Sequence, residues 1–461
     1  MRVAIIGGGI AGSTMALLLG RANIQTTLFE QRDSLISGPP FCHLHAGGNL
    51  YPDISDKQCI KLLHQSIDFA KLYPFSIDYR PTLIVFPKSC KIGVENFMPR
   101  LVLLKNEYQK IVQNDPSKDI LGDPSRYYKL YDKDYLAQLF KKPTPKNPKT
   151  LDEWLIEPSK KIDFSQIQTP LIAVAEFGIN LFLVSSFLQT KLSSYSSLDM
   201  RLNSKVTSIK KENEKFILKA DGDEYQFDYL INATGFQTGI IDDMLGIEEE
   251  RMVEFKAAYV TKWEHTNTLW PEIIFHGKRG TKNGMGQFTP YPNSHFQLHG
   301  MSNQITLFEE GLAKSSKSSS YPILPKKLIQ KIDLGWNSND IEQRTQKAIS
   351  HISKFIPSFK DAKVASKPLY GAQQIPGNDP SLRVAEVSFP IKNYARCEIV
   401  KVSSVIDMAK AILKDIGLKD EKLLYPLTDI NKDKAQKLAK QIAKTRGYPE
   451  DLGSKITEQN S

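Results

Sequence analysis

The first twelve residues constrain this chain more than any other stretch. Val3 to Ile6 is an apolar run that reads as a buried parallel strand. It leads directly into Gly7-Gly8-Gly9-Ile10-Ala11-Gly12, a Gly-x-Gly-x-x-Gly spacing. Ser13 to Gly20, rich in alanine and leucine, reads as a helix, and Gln25 to Glu30 as a second strand that ends in an acid. Each glycine has its own job: Gly7 permits a tight turn, Gly9 lets a pyrophosphate approach the backbone, and Gly12 lets helix and strand pack closely. Ile10 and Ala11, between the last two glycines, are read as cofactor-binding with them, and the helix N-terminus that follows offers N–H donors and a positive dipole end to phosphates. Glu30, eighteen residues after Gly12, is placed to accept from ribose hydroxyls. Such a glycine spacing is common by itself, but between a strand and a helix, with the acid at the next strand end, it predicts a dinucleotide site.

A chain of 461 residues has ample core for two domains or one two-lobed unit. With 41% hydrophobic and 24% charged residues it reads as a globular protein. The net charge of +10 suits an anionic cofactor, nucleic acid or an anionic membrane surface. The excess is concentrated near Lys141–Lys149, Lys326–Lys331 and Lys432–Lys444, which read as solvated faces. The absence of an aromatic-interleaved basic motif argues against nucleic acid. Cys42, Cys59, Cys90 and Cys397 include no C-x-x-C pair and are expected to be reduced thiols. No apolar run approaches the ~18 residues a spanning helix needs, so the expected placement is cytoplasmic, at most peripheral at a membrane.

Further along, Phe41 to Pro52 is dense in histidine and glycine, and there His43 and His45 are the first candidates for chemistry beside the cofactor, with Gly48 giving backbone access to a flat ring. Helical periods run through 56–72, 94–113, 135–140, 178–192 and 340–355. Residues 88–165 read as a Lys- and Pro-rich insertion. Lys205 to Ile209 and Asp228 to Gly235 read as strands, the latter ending in Ala233-Thr234-Gly235. Residues 250–310 look β-rich. In His295 to Met301 the period-2 alternation puts His295, Gln297 and His299 on one face, read as a pocket wall or a solvated sheet surface. The two histidines lie i, i+4 on a strand with no third ligand, so no metal site is expected. Pro368 to Pro380 reads as turn-rich. A helix is expected from Ser403 or Ser404 as N-cap to Gly417, followed by a charged tail that frays from Gly453.

Taken together, these stretches are similar to the FAD-dependent D-amino-acid oxidase superfamily, which also holds glycine oxidases and glycerol-3-phosphate dehydrogenases. Gly7, Gly9, Gly12 and Glu30 match its FAD fingerprint, and Glu30-Gln31-Arg32 matches its frequent Glu-x-Arg ending. Val206 looks like the strand residue whose backbone meets the adenine, Ala233-Thr234-Gly235 like the second glycine motif, and the Ser403/Ser404 helix like the one aimed at the flavin. Two motifs depart: Gly-His-x-x-Gly before that helix is missing, and so is the Gly-Asp motif of aromatic-ring hydroxylases. The resemblance implies an α/β Rossmann-like FAD domain, three-layered with a mostly parallel sheet, built from 1–87, 166–247 and 363–418. It implies an antiparallel β-rich substrate domain over 248–362, beside the 88–165 insertion and the helical tail 419–461.

The expected function is FAD-dependent oxidation of a small C–H donor, an amine, amino acid or 2-hydroxy acid, by hydride transfer to the flavin. His43 and His45 are expected beside the flavin, Tyr291 and His299 on the facing wall, and Arg396 on a substrate carboxylate. The electron acceptor stays open among oxygen, quinone and NAD(P), as does covalent attachment of FAD. Two rivals stand: a flavin monooxygenase using NAD(P)H and oxygen, and a flavoprotein acting on RNA or docked at a membrane.

Overall fold

Val3 and Ile5 face one buried cluster and Ala4 and Ile6 another, so β1 (Arg2–Ile6) is sandwiched between two layers. The computed structural model describes the chain apart from residues 39–43, 45, 46, 265–267, 420, 421 and 458–461. From β1 the chain turns at Gly7 into α1 (Ile10–Arg21), three residues earlier than the sequence suggests, and returns as β2 (Gln25–Phe29), parallel to β1. The sheet extends in the order Val387–Ser388, Tyr394–Cys397, Tyr229–Asn232, β1, β2, Leu198–Arg201. All neighbours are parallel except the edge pair Val387–Ser388 with Tyr394–Cys397. On one face lie α1 and the helices Leu181–Leu192 and Val405–Asp415. The other face is covered by an antiparallel meander, Val206–Glu212, Lys215–Ala220 and Asp223–Phe227. This is the three-layer Rossmann-like arrangement.

A larger sheet forms the second layer system around the twelve-residue strand Arg251–Lys262. It is antiparallel except where Thr82–Val85 runs parallel to Glu272–Phe275. One side packs an aromatic core that includes Trp263, Trp270, Phe288, Phe296 and Phe359, several of them edge-to-face. Membership of this sheet differs from the expected division of the chain. Thr82–Val85 from 1–87, Leu171–Val174 from 166–247 and Tyr128–Tyr131 from the insertion all join it. The chain thus passes between the two sheets more often than composition reveals.

Two local expectations fail. The turn-rich reading of 368–380 gives way to an eight-residue strand, Leu369–Pro376, whose register along Arg251–Lys262 places Gly371 opposite Lys256. Cross-strand pairing outweighs local propensity, and Pro376 falls at the strand end, where its missing N–H is tolerated. The tail is docked as well. Leu452 is fully buried, and Asn180 Nδ2 donates to the carbonyls of Leu452 and Ser454 at 2.9 Å each. Arg446 donates to the carbonyls of Leu35 and Ile36 at 2.7 and 3.0 Å, strapping the loop after β2.

Candidate functional site

Where the two sheets meet, a cavity of about 370 Å³ opens. Its Rossmann side is made by Gly9, Ile10 and Ala11 at the start of α1, by Ala233 and Gly235, and by Lys401 and Val402 before the Val405–Asp415 helix. Gly371 to Gln374 of the strand Leu369–Pro376 form one flank. The opposite wall carries Lys256, Ile274, Arg279, Gln287 and His299 from the large sheet and its turns.

The three motif glycines do different physical work. Gly7 has φ +99°, and an added Cβ would stand 2.5 Å from the Ala233 carbonyl oxygen. A Cβ on Gly12 would stand 1.9 Å from the Gly7 oxygen. Those two positions are closed by the protein's own backbone. Gly9 is the opposite case: a Cβ there meets no atom within 4 Å, because it faces the cavity. A backbone kept bare against open space, at the N-terminus of a helix, fits a phosphate-bearing ligand. Glu30 is buried, its carboxylate accepting from the backbone N–H groups of Gly8 at 2.7 Å and Arg32 at 2.8 Å. Burial pushes its pKa up against those two amides.

The remaining sequence candidates separate. Among the described residues, Gly9, Ile10, Ala11, Ala233, Gly235 and His299 line the cavity. Thr234 turns away and donates to Asn232 Oδ1 at 2.7 Å. Gly48 is one residue short of the wall, its N–H held by Glu176 at 2.6 Å, while Asn49 lines it. Val206 packs with Phe29 and Ile6 beside the meander. Gln31 lies on the exposed surface, 3.3 Å from Gln237, and Arg32 is exposed beside it. Ser403 and Ser404 sit in a short 3-10 turn, and Ser404 is the N-cap residue of the Val405–Asp415 helix, but its side chain makes no capping bond; Ser404 Oγ donates to Gln65 at 2.8 Å, and it is Lys401 and Val402 that reach the cavity. His43 and His45 lie outside the described residues.

Two catalytic candidates need correction. Arg396 is buried but points away from the cavity, into an ion network with Asp242 at 3.1 Å, Glu249 at 2.6 Å and Glu398 at 2.9 Å. Its guanidinium is saturated by carboxylates, so it holds no substrate. Its strand neighbour Cys397 faces the cavity instead, as alternation on a strand requires. Tyr291 lies behind the wall, 3.3 Å from Gln297 Oε1. The solvent-facing alternative for His295 to Gly300 is also excluded, since that strand is buried throughout. Gln297 Nε2 lies 3.2 Å from His299 Nε2, and the other ring nitrogen lies 3.5 Å from Thr306 Oγ1. Beside His299, Gln287 donates to Glu272, which pairs with Arg80 at 2.6 Å.

The residues missed by sequence reading are Lys256, Arg279, Arg383 and Lys401, all lining the cavity. They belong to four separate segments and share no motif. The alternation of Arg251–Lys262 marks Lys256 as one face of a buried strand, the only local signal for any of them.

Behind the wall, burial pushes the Glu176 carboxyl up to about 7 against hydrogen bonds from Gly48 and Tyr127. Burial also pushes His276 down to about 3 and His351 down to about 4. The signs oppose each other. The unfolded chain ionises Glu176 where the fold keeps it protonated, so its contribution is present at acid pH and lost as pH rises towards 7. The histidines are neutral in the fold and take up protons on unfolding below their ordinary value, so theirs is lost as pH falls. Between pH 7 and 5 each histidine costs about 2 kcal/mol, and Glu176 offsets about half of their combined loss. Glu176→Gln is therefore expected to steepen the loss of thermal midpoint on acidification from pH 7 to 5. Parallel midpoint profiles for variant and parent would exclude this balance.

No curated protein matches the chain in sequence. The model of the NAD(P)-binding Rossmann-like domain matches residues 5–38, the stretch from β1 to the loop after β2. Among solved structures, a point mutant of NikD, an amino acid oxidase essential for nikkomycin biosynthesis, superposes with a TM-score of 0.60 at 11% identity, covering 93% of this chain and 98% of its own. Glycine oxidase from Geobacillus kaustophilus gives 0.56 at 10% identity, covering 93% and 99%. L-alpha-glycerophosphate oxidase from Mycoplasma pneumoniae, solved with FAD bound, gives 0.52 at 14%, covering 93% and 99%. This chain has their fold. Their near-complete coverage means that the large sheet and its junction with the Rossmann-like sheet are shared, not the dinucleotide turn alone.

Proposed function

We propose that the protein is an FAD-dependent oxidoreductase that oxidises a small amine or amino acid at the carbon beside its nitrogen. The observation that carries this reading is the single cavity joining the bare Gly9 backbone to the His299 and Gln287 wall of the large sheet. Amino acid oxidases of the same fold support the choice of substrate class. FAD, when bound, supplies a two-electron acceptor for the hydride. Gly9, Ile10 and Ala11 would hold its phosphates through backbone N–H groups, and Glu30 fixes the Gly8 turn beside them. Lys401 and Val402 bring positive charge and a helix N-terminus to the other end of the cavity. Substrate is held against the large sheet by the cationic side chains there, and the walls exclude water. His299 Nε2, exchanging the Gln297 amide, takes the proton that leaves the substrate nitrogen.

The test is an absorption spectrum of purified protein before and after acid precipitation, followed by anaerobic bleaching with amines, amino acids, 2-hydroxy acids and NAD(P)H. Flavin bands that pass to the supernatant, and bleaching by an amine or amino acid, are the expected result. A colourless protein that takes up no added FAD would overturn the reading. Bleaching by NAD(P)H that an aromatic compound accelerates would replace it with a monooxygenase.

A further inference from the structure

Four cations share the wall of the cavity: Lys256, Arg279, Arg383 and Lys401. They are brought together by the strand Arg251–Lys262, the turn after Glu272–Phe275, the loop after Leu369–Pro376 and the approach to the Val405–Asp415 helix. Against them stands one buried carboxylate, Glu254, which pairs with Lys256 at 2.7 Å and with Arg279. No carboxylate lines the cavity among the described residues. Tyr51, also on the wall, adds no counter-charge, since burial pushes its phenol up to about 12. The Lys401 ammonium has no hydrogen-bond or ion-pair partner among the described residues, and burial followed by the repulsion of Arg383, Lys256 and Arg279 drives its pKa well down.

Lys256, Arg279 and Arg383 less Glu254 leave two positive charges uncompensated, and Lys401, whose charge those three disfavour, regains it when an anion binds. Like charges gathered in a partly desolvated cavity repel strongly, and a protein keeps them together only where an anion completes the set. A reduced flavin ring contributes one negative charge at most, and the bare Gly9 turn that would receive phosphates belongs to the Rossmann side. At least two positive charges therefore remain for the substrate. Arg279 and Arg383 add directional, fork-shaped donors suited to carboxylate or phosphate oxygens.

We propose that the substrate oxidised at this site is a dianion, with two carboxylates or a phosphate group held by Lys256, Arg279, Arg383 and Lys401. This rests on the flavin oxidoreductase reading above and narrows its substrate class. A simple neutral amine or a monoanionic amino acid leaves the cluster under-neutralised and binds weakly.

The experiment uses the FAD-loaded protein and reads binding separately from turnover. Malonate, inorganic phosphate and acetate are titrated while the flavin spectrum is followed. Aspartate, iminodiacetate and a phosphorylated amino alcohol are then compared with asparagine and glycine as anaerobic reductants. Malonate or phosphate is expected to bind at least ~10-fold more tightly than acetate, with the dianionic reductants favoured in the same sense. The better of malonate and phosphate decides between dicarboxylate and phosphate ester. Arg383→Gln is expected to remove most of the dianion preference while acetate binding and FAD occupancy stay within about twofold. Arg279→Gln serves the same purpose if that variant does not fold. Equal affinity for malonate, phosphate and acetate would overturn the proposal with the oxidoreductase reading intact. So would loss of FAD itself from both variants, because the cations would then serve the cofactor. Failure of the protein to take up FAD at all would overturn the underlying reading.

Discussion

Gly9→Val is expected to fold like the parent and lose FAD. The backbone at Gly9 is extended, with φ −63° and ψ −177°, which any residue adopts. The added side chain meets no protein atom within 4 Å of its Cβ, so stability of the FAD-free protein changes by no more than about 1 kcal/mol. The space that it fills is the space a pyrophosphate needs, and FAD affinity is expected to fall by roughly 100-fold or more. Gly12→Val, three residues on, fails differently: its Cβ would collide with the Gly7 carbonyl oxygen, and the expected result is insoluble or unfolded chain. Thermal midpoints without FAD and flavin fluorescence titrations distinguish the two. A yellow, fully loaded Gly9→Val protein would show that the cavity beside this turn does not hold the dinucleotide.

Arg80→Met is expected to be among the most destabilising single changes in the chain. Arg80 and Glu272 are 2% and 1% exposed and pair at 2.6 Å, and Glu272 also accepts from Gln287 on the cavity wall. Removing the guanidinium strands a buried carboxylate, a loss of about 3–5 kcal/mol. The double variant Arg80→Met/Glu272→Gln removes both charges and is expected to recover most of that loss, since a neutral buried pair escapes the desolvation penalty. Apparent melting temperatures of parent, single and double variants make the comparison. A single variant within a degree of the parent, or a double variant no better than the single, would contradict a coupled buried pair. Because Gln287 faces the cavity, the single variant is also expected to weaken substrate binding.

The local elements were legible where periodicity and chain order agree. Asp56–Leu72 forms the helix that its spacing announces, and the β1–turn–α1–β2 unit follows from an apolar run, three glycines and a terminal acid within thirty residues. The strand Leu369–Pro376 was not legible, because Gly371 and Pro376 signal a turn and only the partner strand Arg251–Lys262 stabilises the extended form. The face presented by a residue was legible only up to its alternation. Arg396 and Cys397 are neighbours on one strand, yet which of them meets the cavity depends on the layer that covers each face.

Local chemistry, read from the chain alone, therefore determined the dinucleotide turn, since every part of it lies within a few residues of the next. The substrate wall was decided by the tertiary structure. Lys256, Arg279, Arg383 and Lys401 are separated by up to 145 positions, and no spacing relates them. Their common purpose exists only because two sheets, each threaded through distant parts of the chain, close on one cavity. There the burial that brings four basic side chains together favours an anionic ligand.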